Sequence, residues 1–81
     1  MKNKRKNDIF VQFGQAIRKY RMERGWSQEK LAERAGLHRT YVADIERGVR
    51  NVSLRNLDKM AKAFEITLCD LFIGIAGDGR K

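Results

Sequence analysis

Apolar residues recur along this 81-residue chain at spacings of three and four, the period of helices that bury one face. Ile9, Phe13, Ile17 and Tyr20, with Arg21 beside them, form the first stripe, and Asp8 stands where a capping side chain is needed. A shorter run behind Ser27 turns Leu31, Ala32 and Ala35 inward, and its small alanines allow another helix to cross closely. Val42, Ile45 and Glu46 share one side of a third segment. Leu54, Leu57, Met60, Ala61 and Phe64 repeat behind Ser53, and Thr67 opens a last segment, Leu68-Cys69-Asp70-Leu71-Phe72-Ile73. The pattern predicts an all-α, five-helix domain. Gly14 interrupts the first helix at a cost of roughly 1 kcal/mol relative to Ala, which predicts close packing against a neighbour.

The stretch from Gly25 to Gly48 reads as helix, turn, helix. Ser27 caps a helix running to about Ala35, Glu29 complements the positive end of its dipole, and Trp26 is placed to staple the first turn. Gly36 supplies the left-handed residue that stops it, and the next helix starts two residues later and ends at Gly48. At about 100° per residue, Thr40, Ala43, Asp44 and Arg47 face away from the apolar side, with Arg39 and Tyr41 on the flanks near the start. A hydroxyl, a methyl, a carboxylate and guanidinium groups on one face match the varied donors and acceptors of base edges in a major groove. Asp44 has two readings: it accepts from a cytosine amino group, or it pairs with Arg47 three residues on. Gln28, in the first turn of the preceding helix, either reaches a phosphate beside the free backbone N–H groups or is an ordinary surface glutamine. Arg50 and Asn51 follow the outward-facing helix in a loop suited to a backbone contact.

The formal net charge is +8, and Lys2, Lys4, Arg5 and Lys6 carry half of it. Such a balance favours a polyanionic partner, most simply nucleic acid, and with the groove-like face above the expected partner is double-stranded DNA. Residues 1–7 are expected to be a flexible basic arm that enters a minor groove or adds sequence-independent attraction, residues 8–76 the folded domain, and 77–81 a flexible tail. No apolar run approaches the roughly 20 residues of a membrane span, and no apolar signal core follows the basic start. A cytoplasmic protein with no membrane association is expected. Cys69 and His38 each stand alone and lie on different segments, and no glycine-rich phosphate loop or spaced ligand cluster is present. No enzyme activity, metal or cofactor is therefore expected. Leu68, Leu71, Phe72, Ile73 and Ile75 make the last helix too apolar for water, so part of it should close the core and part should meet a second copy of the chain.

Arg21, Ser27-Gln28, Leu31-Ala32, Gly36, Tyr41-Val42, Ile45-Glu46-Arg47-Gly48, Asn51 and Leu57 together resemble the phage-repressor-like (XRE-type) helix-turn-helix family, over roughly residues 9–73. The resemblance implies a five-helix repressor-like domain that binds operator DNA as a homodimer, its second helix across the backbone and its third in the major groove. Arg39-Thr40-Tyr41, followed by Ile45-Glu46-Arg47 and Arg50-Asn51, looks most like the controller proteins of restriction-modification systems, small dimeric transcription regulators. Matched positions imply base contacts for Arg39 and Thr40, a backbone or base-step role for Tyr41, and phosphate or groove contacts for Gln28 and Arg50. They also imply a buried ion pair between Arg21 and Glu46. Two departures stand out: His38 replaces the usual Ser, Thr or Asp cap, and Asp44 puts a carboxylate on the groove face. An activator of this kind would also touch RNA polymerase. The alternative is an antitoxin-type regulator whose apolar C-terminal surface grips another protein, and a third reading is sequence-independent DNA coating by the basic tails.

Overall fold

The computed structural model describes the backbone of residues 8–76 and side chains through Ile73, so the two terminal segments and the Ile75 side chain lie outside the described residues. Its helices are α1 (Ile9–Glu23), α2 (Gln28–Ala35), α3 (Arg39–Arg47), α4 (Leu54–Phe64) and α5 (Leu68–Ala76), and no strand occurs among the described residues. Local chemistry sets most of their starts. Asp8 accepts from the Phe10 N–H at 2.7 Å, Ser27 from Lys30 at 3.0 Å and Ser53 from Asn56 at 3.1 Å. Thr67 and Asp70 form a reciprocal box, the Asp70 N–H on Thr67 Oγ1 at 2.9 Å and the Thr67 N–H on Asp70 Oδ2 at 3.2 Å. His38 makes no side-chain capping bond, so α3 depends on packing for its place.

That packing comes from an apolar core of Phe13, Ala16, Ile17, Leu31, Ala32, Ala35, Val42, Ile45, Met60, Ala61, Phe64 and Leu71. Phe64 is its aromatic centre, stacked on Trp26 at 5.7 Å between centroids and tilted against Tyr20 at 5.4 Å. Arg24 lies over the Phe64 ring at 5.0 Å and donates to the Phe64 carbonyl at 2.7 Å and the Tyr20 carbonyl at 3.2 Å. Arg24, a charged residue just past the last turn of α1, thus ties the end of α1 to the end of α4. It also satisfies one of the carbonyls that every helix terminus leaves without an internal partner.

α1 crosses α3 with almost no side chain between them. A Cβ on Gly14 would run into the Ile45 carbonyl oxygen and lie 2.8 Å from that of Glu46. At the other end of the crossing, Gly48 closes α3 at φ +75°, and a Cβ there would lie 2.7 Å from Val11 Cα. Any larger residue at position 14 must push the two helices apart. The cost of Gly14 in helix propensity is therefore offset by backbone-to-backbone packing.

Three apolar positions differ from their expected places. Leu71 is fully buried among the core residues, so it closes this subunit's own core and is not an interface residue. α5 packs on α1 and α4, with the Tyr20 hydroxyl donating to the Asp70 carbonyl at 3.0 Å, and this docking turns Leu71 inward while Phe72 and Ile73 face out. Ile9 and Leu54, the first residues of their helices, are exposed rather than core. Periodicity fixes the side of a helix a residue lies on, not how far the neighbouring helix extends beneath it.

Candidate nucleic-acid interface

The site begins with a buried charge. Glu46 points to the core side of α3 with its side chain only 3% exposed, and Arg21 of α1 meets it with two parallel bonds, Nε to Oε2 at 2.7 Å and Nη2 to Oε1 at 3.0 Å. The remaining edge of the guanidinium donates to the Trp26 carbonyl at 2.7 Å, and Gln28 Nε2 of α2 donates to Glu46 Oε1 at 3.0 Å. The Glu46 hydrogen bond holds Arg21 above the ordinary arginine range, outweighing the opposite effect of burial. A buried pair of this kind is sustained only when its remaining donors and acceptors are also satisfied, and here one carboxylate locks three helices into a single geometry. Gln28 is therefore not a free surface glutamine. Its amide donates to Glu46, and its side chain also borders the cleft between α2 and α3.

With Val42 and Ile45 buried, the opposite face of α3 is forced into solvent. Arg39, Thr40, Ala43, Asp44 and Arg47, together with Ser27, Gln28 and Glu29 of α2, line an open cleft of about 420 Å³. Arg39 and Thr40 are exposed, and Arg39 Nη1 sits 3.5 Å from Glu29 Oε1 with both side chains largely in water. Such a pair contributes little and exchanges readily for another anion.

The far end of the cleft is more constrained. Asp44 is held from two sides, Oδ1 by Arg47 Nη2 at 2.6 Å and Oδ2 by Arg50 Nη2 at 3.1 Å. In the free chain Asp44 is thus paired with Arg47, and Arg50 from the loop joins the pair. The Arg50 guanidinium also covers the Tyr41 ring at 4.9 Å. Tyr41 is half-buried, and its hydroxyl accepts from Asn56 Nδ2 at 2.8 Å, linking α3 to α4. Asn51 is exposed beside Arg50. Asn56 and Glu29 are contributors that the sequence did not single out for this face. Their partners lie 15 and 10 residues away, beyond any helical repeat, so only the fold brings them together.

Elsewhere, Phe72 and Ile73 leave large apolar surface exposed while Leu68 is half-buried. Phe72 borders a shallow apolar groove of about 100 Å³ with Ile9, Phe10, Phe13, Val52 and Leu57. Among the described residues, no helix is long and apolar enough to cross a membrane, and no group of His, Cys, Asp or Glu side chains gathers as metal ligands would.

Comparison with known proteins agrees with this geometry. The helix-turn-helix family model matches residues 17–71. The control protein C.BamHI of Bacillus amyloliquefaciens is 52% identical over 66 residues, covering 80% of this chain and 82% of its own. The crystal structure of the restriction-modification controller protein C.AhdI from Aeromonas hydrophila superposes with a TM-score of 0.76 at 51% identity, over 78% of this chain and 96% of that one. A tetramer of the controller protein C.Esp1396I, solved in complex with its natural 35 base-pair operator, matches with a TM-score of 0.80 at 31% identity, over 86% and 92% of the two chains. The chain belongs to the helix-turn-helix family of restriction-modification controller proteins.

Proposed function

We propose that this chain regulates transcription as a homodimer that reads a pseudo-palindromic operator, with α3 of each subunit in the major groove of one half-site and α2 across the backbone. The observation that carries this is the α3 face: varied polar groups stand in solvent while the Arg21–Glu46–Gln28 network braces the helix from behind. Arg39 and Thr40 lead at the base edges, with Ala43 offering a methyl contact and Arg47 further along. Gln28, Tyr41, Arg50 and Asn51 set the register against phosphates, which position a protein without reading sequence. Phe72 and Ile73, with Leu68 on the same short helix, supply the apolar surface for the second subunit. The relative solved as a tetramer on its operator supports a protein that acts in several copies on duplex DNA. Residues 8–76 would form the DNA-binding unit, flanked by the basic arm 1–7 and the tail 77–81. The setting is the cytoplasm, and activation would add a contact with RNA polymerase.

The test starts from a sequence selected out of random DNA by the purified protein. Arg39→Ala should cost about 1–3 kcal/mol on that site and relax preference at one base pair. Arg50→Ala should weaken all sequences alike and lower the salt slope by about 1. Equal losses on selected and random DNA for Arg39→Ala would remove it from the base edges. Sedimentation of the free chain separates a symmetric dimer from an antitoxin-type protein, which would hold its apolar surface for a different partner.

A further inference from the structure

We infer that Asp44 is a specificity-determining positioning residue: its carboxylate neutralises and holds Arg47 and Arg50, suppressing attraction to DNA of any sequence. The inference rests on the DNA-binding reading above and goes beyond it. Asp44 lies on the groove-facing side of α3, yet its side chain is only 17% exposed, whereas those of Arg47 and Arg50 are 67% and 48% exposed. Both carboxylate oxygens are occupied, one by each guanidinium, at 2.6 and 3.1 Å. Arg50 is fixed on its other side by the Tyr41 ring, and Tyr41 is anchored in turn by Asn56. The loop after α3 is thus clamped to the helix through one carboxylate.

The clamp has two consequences for a polyanion. A carboxylate between two guanidiniums removes one unit of positive charge from the DNA-facing surface and repels phosphates that approach it. It also fixes the plane of the Arg47 guanidinium, which keeps donors beyond the one given to Asp44, so that it suits one arrangement of base acceptors, and it holds Arg50 at a single place along the phosphate backbone. Phosphates occur on every sequence, while a matching set of base acceptors occurs only on some. Holding the arginines therefore weakens binding to random DNA more than binding to the operator.

The experiment measures binding of the full chain to its selected duplex and to a random duplex across a range of salt concentrations. The variants are Asp44→Asn, which keeps the shape and removes the charge, and Asp44→Asn combined with Arg50→Gln. Thermal melts establish that each is folded. Asp44→Asn should raise affinity for random DNA by about three- to tenfold at 0.1 M salt and steepen the salt slope by about 1, as expected for one additional phosphate contact. Affinity for the selected duplex should rise less, so the ratio of the two falls, by up to the roughly three- to tenfold gain on random DNA. The double variant should return the random-DNA affinity and slope towards their original values. Unchanged random-DNA affinity and slope in Asp44→Asn would overturn the inference. So would a loss of preference at a single cytosine with the slope unchanged, because Asp44 would then be reading a base. If the unaltered chain binds no duplex, the DNA-binding reading itself fails, a result distinct from either outcome for the variants.

Discussion

Glu46→Ala is expected to lower the unfolding free energy by about 3–5 kcal/mol, the usual cost of removing one partner from a buried ion pair. Arg21, whose side chain is 11% exposed, would keep only the Trp26 carbonyl as a partner, and the Gln28 amide would lose its acceptor. A small domain is at best modestly stable, because it buries only about 60% of the surface that its unfolded chain exposes. Against a typical total of about 5–15 kcal/mol, much of the stability would disappear. Denaturant unfolding followed by circular dichroism measures the loss. A double replacement, Arg21→Met with Glu46→Leu, should recover a large part of it, since a well-packed apolar pair often equals or exceeds a buried ionic one. A loss below about 1 kcal/mol for Glu46→Ala would mean that water reaches the guanidinium and screens it as at a surface site. The functional consequence exceeds the energetic one. Arg21, Gln28 and Glu46 come from three different helices, so their network sets the angle at which α3 stands out from the bundle.

Phe64→Ala should cost a similar amount, about 3–5 kcal/mol, through lost transfer energy and the cavity left behind. Phe64 is 2% exposed, stacked on Trp26 and in contact with Tyr20, and its ring lies beneath the Arg24 guanidinium. Truncation would expose the inner face of the single Trp, so a red shift of its fluorescence should accompany the lowered denaturation midpoint. An effect below about 1.5 kcal/mol would mean that the neighbouring rings collapse into the space. Trp26 precedes the cap of α2, so this aromatic stack also supports the start of the helix that carries Gln28.

The helices were legible because their determinants are local. Asp8, Ser27, Ser53 and the Thr67–Asp70 pair each cap within three residues, and Gly14 announced a close crossing before any partner was known. The apolar side of α3 was equally plain, since Val42 and Ile45 differ from Thr40 and Arg47 in character. Leu71 and Phe72 do not differ in that way. They are adjacent and both apolar, and only the docking of α5 on α1 and α4 decides which one enters the core. Arg24 illustrates a second limit: its charge suggests solvent, but its planar head stacks on an aromatic face while still donating to carbonyls. The Asp44 clamp illustrates a third. Arg47 is one helical turn away and was foreseeable, whereas Arg50 reaches back from a loop whose path no periodicity describes.

The most direct test of the central claim, that the exposed face of α3 lies in the major groove of two matched half-sites, is a methylation-protection footprint on the selected duplex. Guanine N7 atoms should be shielded in two patches related by a dyad, with centres about 34 Å apart along one side of the helix. Protection spread evenly over any DNA, or confined to a single patch, would contradict it.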